Sequence, residues 1–167
     1  MKYVAQLVAY AAFMLLLGVL SIRPELRLMA DDEAIVSLSF SHAANRVGEC
    51  RRLSQQELLA LPPNMRQPDD CPRERHPLRI ELEMDGQMLY KATLPPSGLW
   101  DDGKSTAYQR IRVGAGTHEF RIRMSDSGKA GSFDFENTST VTLLPAQNML
   151  VYFDATQQRL GIHLVAP

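Results

Sequence analysis

The chain is poor in cysteine, in aromatic side chains and in net charge. Its 167 residues include two Cys and one Trp, aromatic residues make up 7%, and 18 Lys and Arg oppose 19 Asp and Glu. Two Cys cannot build a disulfide-dense small scaffold or a four-Cys zinc site. A net charge of −1 leaves no basic footprint, so we expect no nucleic-acid partner.

The motifs of common enzyme and metal sites are also absent. The sequence has no G-x-S-x-G elbow, no P-loop, no H-E-x-x-H and no G-x-G-x-x-G. Its four His do not stand at metal-ligand spacing. A calcium site at Asp101, Asp102 and Asp126 would need the D-x-D-x-D-G pattern of a loop site, which is missing. We therefore expect a protein that is not an enzyme and that holds no metal and no cofactor.

One long hydrophobic run stands at the N-terminus. Residues 3–22 contain no charged side chain, and about 20 apolar residues cross a hydrocarbon core of roughly 30 Å. The alternative is a cleaved signal peptide, whose apolar core is usually ~7–15 residues long and ends at a small-residue cleavage site. Residues 21–24 are a poor site of that kind. We predict an uncleaved transmembrane anchor over 1–22, inserted in the lipid bilayer through residues 3–22, and a linker over 23–32.

The charges around the anchor do not decide its orientation. Lys2 and the terminal amine lie on one side, and Arg23 and Arg27 lie on the other, which is a tie under the positive-inside rule. A disulfide between the two Cys would place the C-terminal part of the chain in an oxidising compartment. We therefore expect a single-pass membrane protein with a cytoplasmic N-terminus and a periplasmic, extracytoplasmic domain over 33–167.

Cys50 and Cys71 flank an excursion over 50–71. Ser54 and Glu57 have the spacing of a capping box that opens a helix through Leu61, and a Pro-Pro pair then stops the helix. The close C-x-x-C spacing of redox pairs and haem attachment is absent. We interpret the two Cys as a structural disulfide, worth about 3 kcal/mol for a loop of roughly 20 residues. A redox or metal role is the alternative.

Apolar and polar residues alternate with a period of two in much of the remaining chain, which is typical of half-buried strands. We predict seven or eight strands, six of them in three hairpins. The hairpins are 78–84 paired through Asp85-Gly86 with 88–94, 108–113 paired through 114–116 with 118–124, and 133–143 paired with 149–153, and the further strands are 33–40 and 160–164. This pattern predicts a mainly β fold, an antiparallel immunoglobulin-like sandwich behind one N-terminal transmembrane helix. A small barrel is the alternative.

Methionine and histidine have two interpretations. Met84, Met88, Met124 and Met149 fall in the buried phase of the predicted strands, where Met fills gaps in a core. His118 lies in the same phase, and we expect it to be a partly buried turn histidine with its hydrogen bonds satisfied. The alternative is copper binding, because soft thioethers select Cu(I).

The turn chemistry of three short segments resembles that of PEGA-type modules. The segments are Asp85-Gly86, Thr93-Leu94-Pro95 and Gly116-Thr117-His118. PEGA-type modules are small extracytoplasmic sandwiches, often on anchored bacterial proteins. The resemblance implies a binding or structural accessory and supplies no functional residues. The chain departs from the pattern at Ala115, where the second motif usually has Pro, and in a long insert over 97–105.

The best candidate site is the loop over 95–104, which carries the only Trp of the chain beside two carboxylates. Long loops in compact domains are usually functional or disordered. Leu99, Trp100, Asp101 and Asp102 are candidate partner-binding residues, because an exposed Trp is a typical interface anchor. The alternative, which we favour slightly, is that Trp100 folds back to cap the sandwich.

These observations predict a non-catalytic, membrane-anchored extracytoplasmic interaction or accessory module. It would serve as an accessory subunit of a membrane or envelope complex, with a protein partner in the envelope or inner membrane. The alternative is a periplasmic accessory that handles copper through Met and His.

Overall fold

The computed structural model describes residues 2–22 and 29–165. It divides the chain into two compact units, Met1–Ala30 and Asp31–Pro167. Residues 23–28 of the predicted linker lie outside the described residues. They include Arg23 and Arg27, the charges on the C-terminal side of the predicted anchor. Of the rest of that linker, Asp31 and Asp32 form a turn.

The first unit contains one helix, α1, over Lys2–Ile22. At 1.5 Å per residue it measures about 31 Å, and its most apolar window has a mean hydropathy of 2.1. None of its described side chains is buried, and a helix that is apolar on every face needs an apolar surrounding. Helix α1 is therefore long and apolar enough to cross a lipid bilayer, as the sequence predicts.

The second unit is mainly β. Two short helical segments, α2 over Gln55–Ala60 and a 3-10 turn over Pro63–Met65, interrupt a series of strands. The strands are β1 Glu33–His42, β2 Arg51–Arg52, β3 Asp69–Asp70, β4 Leu78–Met84, β5 Gln87–Leu94, β6 Ser105–Gly114, β7 Gly116–Ser125, β8 Phe135–Leu143, β9 Asn148–Asp154 and β10 Arg159–Val165.

Two four-stranded sheets contain all the longer strands, in the orders β10-β9-β1-β6 and β5-β4-β7-β8, while β2 and β3 form a small ribbon. The pairings are antiparallel, except that β1 and β9 run parallel. The predicted hairpin of β4 and β5 is confirmed. Its turn residues Asp85 and Gly86 have φ values of 51° and 76°, as the preferred two-residue hairpin turn requires.

The other two predicted hairpins are wrong in their pairing. Strand β6 pairs with β1, whereas β7 pairs with β4 and β8, so residues 114–116 cross from one sheet to the other. Strands β8 and β9 also belong to different sheets. Alternation shows that one face of each strand is buried. The same alternation appears whether the next strand of the chain pairs with this one in the same sheet or lies in the opposite sheet, across the core.

Both sheets supply side chains to one apolar cluster. Each fully buried Val, Leu, Ile, Phe or Met side chain in it contributes roughly 1.5–3 kcal/mol relative to exposure. Its fully buried members include Val36, Leu38, Met149 and Val151 from one sheet and Ile80, Leu82, Phe120, Ile122 and Met124 from the other.

Met88 is 46% exposed, which corrects its predicted place in the core. Leu82 faces Tyr90, but the next residue of β4, Glu83, faces Met88, so Leu89 is an extra residue in β5. An extra residue reverses the faces of all positions beyond it, because side chains alternate along a strand. Leu89 packs against the core instead, and the other predicted core methionines, Met84, Met124 and Met149, are in or against the cluster.

The excursion over 50–71 is closed by a disulfide between Cys50 and Cys71. The predicted capping box is confirmed: Ser54 Oγ accepts from Glu57 N at 3.4 Å, and Glu57 Oε2 accepts from Ser54 N at 2.8 Å. Helix α2 buries none of its residues. The disulfide and the β2–β3 ribbon therefore hold this segment, rather than an apolar core.

Candidate functional site

The loop over 95–104 connects an edge strand of one sheet, β5, to an edge strand of the other, β6. Hydrogen bonds close its base, since Ser97 N donates to Lys104 O at 3.3 Å and Gly103 N donates to Ser97 O at 2.8 Å. A Cβ on Gly103 would stand 2.6 Å from Ser97 O, so only glycine fits this close approach. Gly98 and Asp101 adopt φ values of 97° and 49°, which turn the chain sharply around the tip.

The tip of this loop presents two large apolar side chains to solvent. Leu99 is 89% exposed and Trp100 is 66% exposed. A Trp that capped the sheets would be buried, so the structure excludes the cap interpretation that the sequence favoured. The indole is accessible to a partner in the structure as it stands.

Arg75 attaches the loop to the segment that follows the disulfide. Its backbone N donates to Asp101 O at 2.9 Å and its Nε donates to Asp102 O at 3.0 Å. Its Nη1 donates to Ala44 O at 2.7 Å. A guanidinium that donates to two separate carbonyls fixes both segments, because its planar fork loses little freedom in binding them. No motif or spacing in the sequence marks Arg75 as part of this site.

The two candidate carboxylates have different surroundings. Asp102 Oδ2 pairs with Arg73 Nη2 at 3.1 Å, and the Asp102 side chain is 31% exposed. Asp101 is exposed, and its backbone carbonyl, not its carboxylate, accepts the hydrogen bond from Arg75 N that holds the loop. Asp126 does not join them, because its carboxylate accepts from His42 and Asn45. Within residues 2–22 and 29–165, no three His, Cys, Asp or Glu side chains are grouped so as to hold a metal.

A polar cleft of about 720 Å³ is bordered by the disulfide-closed excursion and by this loop. Its lining includes Asp102 and Arg73 as well as Asp69 and Asp70. Charges of both signs on its walls give it no preference for an anion or a cation.

His42 and Asp126 form a buried link between β1 and the end of β7. His42 Nε2 lies 2.8 Å from Asp126 Oδ2, with side chains 10% and 8% exposed. The rings of Phe135 and Phe153 pack edge-on to the imidazole. This enclosed pair is suited to holding the two sheets together and not to meeting a substrate.

His118 fulfils its sequence prediction only in part. Its Nδ1 lies 2.7 Å from Asp85 Oδ2, and its side chain is 19% exposed. This hydrogen bond from His118, with a second from Glu119 N, holds the pKa of Asp85 below its usual value. The other ring nitrogen, Nε2, is buried with no hydrogen-bond partner among the described residues. The imidazole thus stabilises the turn between β4 and β5, but only one of its two ring nitrogens has a hydrogen-bond partner among the described residues.

The methionines offer no exposed cluster to a soft metal in the described part of the second unit. Met124 and Met149 are fully buried, whereas Met65 and Met88 are 61% and 46% exposed and lie on separate elements. No observation on these residues favours the copper alternative over partner binding.

No protein-family model matches the chain, and no curated protein is found to be similar to it.

Proposed function

We propose that the chain is a non-catalytic, membrane-anchored interaction module that serves as an accessory subunit of a membrane or envelope complex. Helix α1 supports the anchor by its length and apolar character. The Cys50–Cys71 disulfide supports an oxidising compartment for the β-rich unit. With the N-terminus in the cytoplasm, that compartment is the periplasm.

The proposal includes an immunoglobulin-like sandwich, of the kind that PEGA-type modules have. Two four-stranded sheets that share one apolar cluster support a sandwich over a barrel. Three of the residues that carry the PEGA resemblance have a structural role here, since Asp85 and Gly86 form the hairpin turn and the His118 ring bonds to Asp85.

One observation carries the functional part: Trp100 and Leu99 are exposed at the tip of a loop whose base is fixed by hydrogen bonds. Trp is the residue type most enriched at interface hot spots, where its burial by a partner supplies a large part of the binding energy. A loop that is already ordered loses little entropy on binding. The partner is a protein of the envelope or inner membrane.

The test compares Trp100→Ala with Leu59→Ala in the full-length chain, cross-linked in bacterial membranes and purified in mild detergent. Leu59 is the matched control, because it is 63% exposed but lies on α2, outside the loop. We expect Trp100→Ala to weaken recovery of a specific membrane or envelope protein by about 2 kcal/mol in binding free energy or more, and Leu59→Ala to leave that recovery unchanged.

The fluorescence of the same proteins provides an internal check, since Trp100 is the only Trp of the chain. The free chain should emit at long wavelength, and partner binding should shift the emission to shorter wavelength. Identical sets of recovered proteins from the wild type and Trp100→Ala would refute the proposed function.

A further inference from the structure

The edge strand β6 is long, regular and open. It pairs with β1 through ten consecutive residue pairs without a register shift, from Ser105 to Gly114. It is the last strand of its sheet, so alternate residues direct their backbone N–H and C=O groups away from the sheet. Among the described residues, no turn or loop backbone hydrogen bond reaches β6 between Thr106 and Val113.

Strand β6 meets β5 at its first residue, where Ser105 Oγ donates to Leu94 O at 3.1 Å, and residues 106–113 stay open. Each of the other three edge strands has a feature that hinders further pairing. The bulge at Leu89 interrupts β5, and a bulge twists an edge away from further pairing. Strands β8 and β10 approach each other, and Asn137 Nδ2 of β8 donates to Leu160 O of β10 at 2.7 Å. Strand β10 is also short, at seven residues. Of the four edge strands, β6 therefore has the longest regular stretch of backbone open to pairing with an added strand.

The side chains of β6 indicate which strand it would accept. Tyr108, Arg110 and Arg112 alternate along the face that points away from the core, and all three are exposed. Neither arginine makes an ion pair with a described residue. In contrast, several outward charges of the other sheet are paired with one another, as Arg123 is with Glu81 and Glu83.

We propose that β6 binds an extended acidic segment of the partner protein as an added strand. Backbone hydrogen bonds along the open edge would supply affinity, and carboxylates opposite Arg110 and Arg112 would supply specificity. A second copy of the chain is disfavoured as the occupant, because two β6 strands side by side would bring four arginines together. The inference rests on the proposed function, since Leu99 and Trp100 lie in the loop that leads into β6 and would contact the same partner.

The experiment uses the full-length chain in phosphatidylcholine nanodiscs and a synthetic peptide probe, acetyl-Thr-Glu-Thr-Glu-Thr-Val-Thr-amide. In an antiparallel pairing its two Glu lie opposite Arg112 and Arg110, and its Val lies opposite Tyr108. We expect saturable binding at or below about 1 mM, with added hydrogen-exchange protection confined to residues 106–113. A peptide with Lys in place of both Glu should bind about tenfold more weakly.

The double variant Arg110→Glu with Arg112→Glu should invert this preference and bind the Lys peptide more tightly than the Glu peptide. Arg159→Glu is the matched control, because Arg159 is an exposed arginine on a different edge strand, β10, and it should leave both affinities unchanged. No saturable binding, protection on β5, β8 or β10 instead of β6, or an unchanged preference in the double variant would each overturn the inference.

The two proposals can fail separately. If the probe binds β6 while Trp100→Ala retains every recovered protein, the function proposed for the loop is wrong and the strand-addition site stands. If Trp100→Ala loses its partner while the probe does not bind, the loop is the interface and the inference about β6 is wrong.

Discussion

The guanidinium of Arg75 donates to the carbonyl of Asp102 at 3.0 Å and to the carbonyl of Ala44 at 2.7 Å. These two hydrogen bonds join the loop that carries Trp100 to the segment at the end of β1. Arg73 reaches the same loop through a more exposed ion pair with Asp102 at 3.1 Å. The position of the loop therefore depends more on Arg75, which is partly buried, than on the more exposed Arg73.

Arg75→Ala should lower the free energy of unfolding by about 2–4 kcal/mol, because hydrogen bonds from a charged donor contribute ~1.5–3 kcal/mol each and are not additive. It should also speed hydrogen exchange in residues 97–104. Arg73→Ala is the control and should lower the free energy of unfolding by less than about 1 kcal/mol, since surface ion pairs contribute little to stability. Denaturant unfolding of both variants checks this, and a larger loss in Arg73→Ala would contradict the role of Arg75.

Replacing Cys50 and Cys71 by Ser should lower the free energy of unfolding by about 2–4 kcal/mol, mainly because the unfolded chain gains conformational freedom. The two Cys are separated by 21 positions, and α2 between them buries no residue. We expect hydrogen-exchange protection to fall in residues 50–71 while β4 and β7 keep theirs. Loss of protection throughout both sheets would show that the disulfide supports the core. Free thiols at both positions in the native, unreduced chain would refute the disulfide itself.

Met124→Ala and Met88→Ala form a matched pair that tests the bulge in β5. Met124 is fully buried and Met88 is 46% exposed. We expect Met124→Ala to lower the free energy of unfolding by about 2–5 kcal/mol and Met88→Ala to change it by less than about 0.5 kcal/mol. Similar losses in the two variants would mean that β5 continues without the extra residue.

The capping box of α2 should weaken at low pH. A hydrogen bond from Arg51 and two from Ser54 lower the pKa of Glu57 from 4.5 to about 2. Because this pKa is lower in the folded chain, the ionised carboxylate stabilises α2 above pH 4.5, and this stabilisation is lost as the pH falls towards about 2.

A titration of the Glu57 carboxyl carbon by NMR measures this pKa directly. Arg51→Ala removes the largest contribution and should raise the midpoint. A wild-type midpoint at the ordinary value would show that the capping box does not form in solution.

Several local elements follow from the sequence because their causes are local. The uncharged run of 3–22, the capping box of Ser54 and Glu57, and the Asp85-Gly86 turn each depend on residues within a few positions of one another. Strand positions follow for the same reason, since a period of two is a property of neighbours. The structure contains all of these elements.

The candidate loop was recognised by its length and its single Trp, but whether Trp100 is exposed could not be read from those residues. Its exposure depends on the bonds of Ser97 with Gly103 and on the anchor that Arg75 provides from a distant segment. The sequence therefore identified the location of the candidate site, and the tertiary structure decided its form.

Strand pairing shows the same division. Alternation in 108–113 and 118–124 determined that each segment is a strand with one buried face. Only the tertiary structure decided that β6 joins β1 and that β7 joins β4. The open edge of β6 exists because of that choice: a β6–β7 hairpin would have covered it. The physical reason is that burial acts on each face separately, whereas the choice of neighbour depends on how all the strands share one core.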